Sequence, residues 1–223
     1  MNNPVNVLIV EDEPLIITSL KSVLEHVSNT GPDFKIKTAG NCDAALLEID
    51  KAVRGTPFDF VIMDINLQPS TDRKFLSGED LGMELKSLFP KVKMLVVTSH
   101  TENYRLNNIL QTLNPDGLLV KSDADFKDFI EAVKCILNDI PYYSKIVLKL
   151  IRSHVSHDFY LDRKDRLLLY QLSQGTKNKD LPDFIGLSKG GVERRKRNLK
   201  EVFCLEHEDD RTLLAAARDK GFI

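Results

Sequence analysis

Over the first 138 residues, short β-rich apolar runs alternate with longer stretches whose apolar positions recur at helical spacing. That is the pattern of a parallel sheet with helices on both faces. NVLIV, FKIKTA, FDFVIM, KMLVVT and GLLV predict strands over residues 6–10, 34–39, 58–63, 93–98 and 117–120. Helical periodicity predicts helices over residues 15–27, 43–53, 78–88, 102–113 and 125–137. Five βα units follow, an α/β doubly wound fold with a five-stranded parallel sheet. In such sheets the loops leaving the carboxyl ends of the strands converge on one edge, where ligands bind. After the turn signal Asp139-Ile140-Pro141, Ser144 is placed to cap a further helix to about residue 155, read as a helical linker. From Asp162 onward every segment reads as helix. The expected division is residues 1–138, a linker over 139–160, and a small all-α domain over 161–223.

The strand ends carry the candidate chemistry. Glu11-Asp12-Glu13 follows the first strand, Asp64 the third, Thr98-Ser99 closes the fourth and Lys121 the fifth. Singly, each has a plainer use, as a helix cap, a self-satisfied hydroxyl or a solvated ammonium. Together they assemble carboxylates that repel one another unless neutralised. The oxygen-only ligand set favours Mg²⁺. A carboxylate, a cation pocket, a hydroxyl and an ammonium are what positional and electrostatic catalysis of phosphoryl transfer requires, with Asp64 as nucleophile.

Charge separates the two halves. Residues 1–138 hold 14 basic and 20 acidic side chains; residues 139–223 hold 17 and 13, and the stretch 177–200 alone holds 8 and 3. The acidic part suits a cation, the basic stretch a polyanion or simply a solvated face. Overall composition is near the globular average, with 42% hydrophobic and 29% charged residues. No apolar run approaches the roughly 18 residues of a membrane span, and MNNPVN lacks a signal-peptide pattern. A cytoplasmic protein with no membrane partner is expected. Cys42, Cys135 and Cys204 are widely spaced and form no CxxC or Cys/His cluster, so neither disulfide nor zinc is expected.

VLIVEDEP, FVIMDINL, LVVTSH and GLLVKSD resemble the receiver domain of two-component response regulators, over about residues 5–138. The resemblance implies a flavodoxin-like fold in which Asp64 accepts a phosphoryl group from a sensor histidine kinase or phosphotransfer protein. It implies that Asp12, Asp64 and the backbone carbonyl of Asn66 bind Mg²⁺, with Glu11 acting through water. Thr98, Ser99 and Lys121 would sense the phosphate. The sequence departs from the family in three ways. Leu118 stands where many receivers have an aromatic switch partner. The 65–77 loop is several residues longer than usual, readable as a lid or a docking surface. Asn66 and His100, both polar, stand at positions that resemble those governing phosphoryl lifetime in the family.

From Leu161, three helical segments divide at Gly175 and at Gly186-Leu187-Ser188, a spacing that matches a helix-turn-helix. Projecting the last from Lys189 puts Val192, Leu199 and Phe203 toward a core and Lys189, Glu193, Arg194, Arg197 and Lys200 outward. Lys177, Lys179, Arg195 and Lys196 are further candidates for duplex DNA phosphates. LDRKD, QGTKNKDL and LSKGGVERRKRNLKEVF resemble the LuxR/NarL class of output domain. That resemblance implies a DNA-binding transcription regulator, not an enzyme, acting as a homodimer when phosphorylated. Gly191, Arg195 and Pro182 depart from that class; Pro182 requires the scaffold helix to start late, capped by Asp180, or to bend. A helix over about 210–220, with Leu213, Leu214 and Ala217 on one side, is either a dimer contact or the closure of the domain's own core. The alternatives are a protein- or RNA-binding output module, or a Mg²⁺-dependent phosphatase using Asp64.

Overall fold

A computed structural model describes residues 4–153, 161–203, 205 and 208–223. The elements run β1 (Val5–Val10), α1 (Pro14–Ser28), β2 (Phe34–Ala39), α2 (Cys42–Val53), β3 (Phe60–Asp64), α3 (Gly78–Leu88), β4 (Lys93–Thr98), α4 (Asn103–Leu113) and β5 (Gly117–Val120). A 3₁₀ turn (Lys121–Asp123) then leads to α5 (Phe126–Leu137), β6 (Tyr142–Tyr143) and α6 (Lys145–Ser153). The remaining helices are α7 (Arg163–Ser173), α8 (Leu181–Ile185), α9 (Lys189–Val202) and α10 (Asp210–Asp219). The chain divides into two compact units, residues 1–101 with 109–155, and residues 156–223 with 102–108.

The first unit is a flavodoxin-like, all-parallel sheet in the order β2-β1-β3-β4-β5-β6. Its central strands read as unbroken apolar runs because both faces are covered. Val7, Ile9, Phe60, Leu95 and Leu119 pack with Leu24 of α1 and Val133 of α5; on alternate positions Leu8, Val10, Met63 and Val96 are likewise fully buried. Each such side chain contributes about 1.5–3 kcal/mol. Strand order reverses between β1 and β3, so the carboxyl edge opens there. β3 starts at Phe60 rather than at residue 58, because Asp59 turns to Asn6: its carboxylate accepts the Asn6 N–H at 2.8 Å and its own N–H donates to the Asn6 carbonyl at 2.9 Å.

The expected five-stranded sheet has a sixth strand, supplied by the segment read as a linker. β6 extends β5 in parallel, with the Tyr142 N–H on the Asp116 carbonyl at 3.0 Å and the Ser144 N–H on the Leu118 carbonyl at 3.1 Å. Ser144, read as a helix cap, turns its hydroxyl to accept from the Val120 N–H. The first turn of α6 is satisfied instead by Asp123, whose Oδ2 accepts the Ile146 N–H at 2.7 Å. Val147 and Leu150 are buried. Residues 154–160 of the expected linker lie outside the described residues. Replacing Asp123 by Ala is expected to cost about 1 kcal/mol and to speed hydrogen exchange at the Ile146 amide at least tenfold, measured by NMR. Unchanged exchange there would show that Asp123 does not hold α6.

In the second unit α7, α8, α9 and α10 enclose a core that includes Leu168, Leu169, Leu181, Val192, Leu199 and Leu213. α8 is five residues long with Pro182 in its first turn, so the late start expected from that proline is what is found. The expected cap is a correction: Asp180 sits at the N-cap, in a helical backbone conformation, and its side chain makes no cap bond. Gly186, at φ +66°, ends α8 in the left-handed conformation, its N–H on the Pro182 carbonyl. The Ser188 hydroxyl caps α9 by accepting the Gly191 N–H at 3.2 Å. Leu213 and Ala217 of α10 are fully buried and close this core. Cys42 and Cys135 are free thiols, and Cys204 lies outside the described residues. No described helix is long and apolar enough to cross a membrane.

Candidate functional site

Parallel register sets the site. Val10 of β1 pairs with Met63, Asp64 with Val97, and Thr98 with Val120, so Glu11, Asp64, Thr98 and Lys121 are carried to one edge. Asp64 is the last residue of β3, inside the strand, and is 3% exposed. Both its oxygens are held: Oδ1 accepts the Asn66 N–H at 2.9 Å and Oδ2 accepts from Lys121 Nζ at 2.8 Å. The same ammonium lies 3.2 Å and 3.0 Å from Glu11 Oε1 and Oε2, and 3.2 Å from Glu13 Oε1. Thr98 is fully buried, its Oγ1 accepting the His100 N–H at 3.2 Å. Ser99 Oγ accepts from Asn66 Nδ2 at 2.8 Å, tying the loop after β3 to the loop after β4.

Three carboxylates, from Glu11, Glu13 and Asp64, face one ammonium, and Asp12 adds a fourth to the acidic group. Desolvation by burial pushes Glu11 above the ordinary carboxylate range, with Asp64's charge adding to the rise and Lys121 opposing it. For Lys121, burial works against the charge, but the hydrogen bonds and charges of Asp64 and Glu11 outweigh it and hold the ammonium above the usual lysine range. Glu11 Oε2 is buried and, though within ion-pair range of Lys121, lacks a hydrogen bond of proper geometry. Ligand oxygens of Glu11, Asp12 and Glu13 lie within 4.8 Å of one another. This all-oxygen donor set, with an unsatisfied buried carboxylate oxygen and a surplus of negative charge, fits a hard divalent cation such as Mg²⁺. The trio differs from the expected ligand set: Glu13 is in it, whereas Asp64 is engaged by Lys121 and is outside it.

The long 65–77 loop is a built turn. Ser70 is buried, its hydroxyl donating to Asp72 Oδ1 at 2.7 Å and accepting the Phe75 N–H at 3.1 Å. Arg73 takes a left-handed conformation at φ +54°. Thr71 donates through its N–H and its hydroxyl to Asp43 at the start of α2. The loop's tip is thereby tied to α2. Its far end brings Gly78 against β3, where a Cβ would lie 2.0 Å from the Asp64 carbonyl oxygen.

On α9, Val192, Leu199 and Phe203 are buried as expected, while Lys189, Glu193, Arg194 and Arg197 are exposed. Lys177 and Lys179 are exposed as well. Lys196 is a correction: it is 5% exposed, with Nζ 2.5 Å from Asp210 Oδ2 and 3.1 Å from Asn178 Oδ1. Arg195 is also committed inward, bridging Asp162 at 2.8 Å and Asp165 at 2.6 Å. Lys200 pairs with Asp210 at 3.2 Å. Three of the cations read as phosphate contacts therefore bind α9 to α10 and to the start of α7.

Residues 7–134, more than half of the chain, match the response regulator receiver domain. The chain belongs to that family. Over 201 residues, the receiver domain included, the chain resembles the Fimbriae Z proteins of Salmonella typhimurium (26% identity, 88% of this chain and 89% of the relative) and of Escherichia coli K12 (28%, the same coverage). Among solved structures it is similar to RcsB of Salmonella enterica serovar Typhimurium bound to the rprA promoter in the presence of the phosphomimetic BeF₃⁻, with a TM-score of 0.67 and 20% identity, covering 96% of this chain and 98% of that one.

The receiver's strand-end residues Glu11, Asp64, Thr98 and Lys121 were legible from the sequence. Two contacts were not. The Asn66–Ser99 bridge joins side chains 33 residues apart, and the third arm on Lys121 comes from Glu13, 108 residues away. For Glu13 the available signal was a third carboxylate directly after Glu11-Asp12, at an N-cap position where Glu is an uncommon cap.

Proposed function

We propose that this response regulator is a phosphorylation-switched transcription regulator in which Asp64 accepts a phosphoryl group and the second unit binds duplex DNA. The observation that carries the first half is the buried Asp64 carboxylate, oriented by the Asn66 N–H and paired at 2.8 Å with Lys121. In this reading an Asp64 oxygen bonds to phosphorus as the phosphorus–nitrogen bond to a donor histidine breaks, and the leaving imidazole takes up a proton. The donor is a sensor histidine kinase or phosphotransfer protein. Asp12, Asp64 and the Asn66 carbonyl would hold Mg²⁺, with Glu11 through water; bound there, the cation supplies charge neutralisation for the phosphoryl oxygens. The chain's own groups do the rest: Asn66 fixes the nucleophile, Lys121 pairs with the new anion, and Thr98 and Ser99 donate hydroxyls to it. The acyl phosphate is a switch state, not a turnover intermediate of an enzyme.

For the second half, the exposed Lys189, Arg194 and Arg197 of α9, with Lys177 and Lys179, present a basic face, and Glu193 is placed beside it. α9 is the second helix of a helix-turn-helix pair, the one that enters the major groove in such readers. The RcsB structures with promoter DNA support this reading. The allocation we adopt is a receiver that includes β6 and α6, and a LuxR/NarL-like DNA-binding domain from residue 161, the phosphorylated protein being a cytoplasmic homodimer. The test is to treat wild type and Asp64→Asn with Mg²⁺ and a small phosphoryl donor and to follow mass, oligomeric state and DNA binding. Uptake of one phosphoryl group by wild type alone, with tighter binding to duplex DNA that weakens by a slope of about −0.9 per phosphate contacted on a log–log salt plot, is the expected result. Equal uptake by Asp64→Asn would remove Asp64 from the role.

A further inference from the structure

Glu13, which belongs to the acidic trio beside the cation pocket, is the one carboxylate paired with Lys121 to which the phosphoacceptor reading gives no part. Its carboxylate, 61% exposed, reaches Lys121 Nζ at 3.2 Å, while its N–H donates to Glu11 Oε1 at 3.2 Å. It occupies the N-cap of α1 yet makes no side-chain cap hydrogen bond. Glu is an uncommon N-cap, and here its carboxylate reaches the ammonium and not the helix's free amides. Resting on the proposal that Lys121 pairs with a phosphoryl group on Asp64, we infer that Glu13 is a positioning residue, a tether that competes with the phosphoryl group for Lys121 and so sets how readily the site accepts and keeps that group.

The chemistry of the cluster decides which partner yields. An ammonium has three donors and at rest faces three carboxylates. Phosphorylation turns the Asp64 carboxylate into a neutral acyl group and places two or so negative charges on oxygens just beyond it. Glu11 is buried and cannot turn to water without loss; Glu13 is at the surface and can. The exchange therefore replaces the Glu13 arm with a phosphoryl oxygen, and Glu13 opposes it twice, by holding the ammonium and by repelling the new charge.

The two effects separate by substitution. Glu13→Gln keeps the reach and removes the charge. Glu13→Asp keeps the charge but is one methylene too short to span to Lys121, and Asp is a strong N-cap that turns back to the α1 amides. The experiment is titration of the full chain with beryllium trifluoride, a mimic of the phosphoryl group, at saturating Mg²⁺ by ¹⁹F NMR, with thermal unfolding to confirm that each variant is folded. A tether predicts that both variants bind the mimic at least threefold more tightly than wild type. Tighter binding by Glu13→Gln alone would assign the effect to bulk charge and overturn the tether, as would unchanged affinity in both or a gain confined to Glu13→Asp. Failure of wild type itself to bind the mimic would instead remove the phosphoacceptor reading on which the inference rests.

Discussion

Exchanging Lys121 for methionine is expected to destabilise the first unit by about 3 kcal/mol near pH 8, because breaking a buried ion pair leaves its partner charges uncompensated. Glu11 and Asp64 are 1% and 3% exposed, and Lys121 bonds both. The loss should depend on pH. Glu11 already lies above the ordinary carboxylate range through burial, and removing Lys121 takes away the group that pulls it down. A carboxyl whose folded pKa exceeds its unfolded one contributes stability at low pH that is lost as pH rises above about 4.5 and through the folded value. The deficit of the variant is therefore smaller at pH 5.5 than at pH 8. Mg²⁺ should restore part of it, since a ligand at 100 times its Kd adds about 2.7 kcal/mol to the state that binds it. Urea unfolding at the two pH values, with and without Mg²⁺, is the measurement. Equal stability of variant and wild type at pH 8 without metal would mean that Lys121 does not neutralise the buried carboxylates.

Gly78→Ala is the second large effect. The added Cβ would sit 2.0 Å from the Asp64 carbonyl oxygen, 3.0 Å from its carbonyl carbon and 3.1 Å from Ile65 Cα, all backbone atoms. None can swing aside as a side chain does, so the start of α3 and the end of β3 must part, breaking the Gly78 N–H bond to the Ile65 carbonyl. A cost of about 3 kcal/mol corresponds to a fall in Tm of about 6–12 °C for a chain this size. Because the strand end that must move carries Asp64, phosphoryl uptake should also fall at least tenfold. Gly82→Ala is the comparator: there the close atoms are the ends of Met63 and Leu113, which can yield. If Gly78→Ala keeps both the wild-type Tm and the wild-type uptake rate, the close approach is not a constraint.

The buried parallel strands were readable because a strand covered on both faces has no polar positions to interrupt it, and that alone placed Asp64, Thr98 and Lys121 at one edge. What escaped the sequence depends on partners that no local pattern reveals. β6 is two residues long, too short to show any alternation, and pairs with β5 across an intervening helix. The outward projection of α9 was right for Lys189, Arg194 and Arg197, whose surroundings are solvent. The separate reading of Lys196 as a phosphate contact was wrong because Asp210, arriving from α10, offers that ammonium an internal counter-charge. Glu13 went unassigned for the same reason: an acid beside two others reads as metal-site decoration until the fifth strand brings Lys121 to it.

The two tyrosines that lengthen the sheet also bear on how this architecture can be recombined. A chimaera joined after residue 138, where the βα repeats end, would strip β5 of the strand that satisfies its outer amides and carbonyls, leaving a raw edge on which other chains can pair. Grafts that exchange one output module for another should therefore be cut beyond Ser153, carrying β6 and α6 with the sensing half.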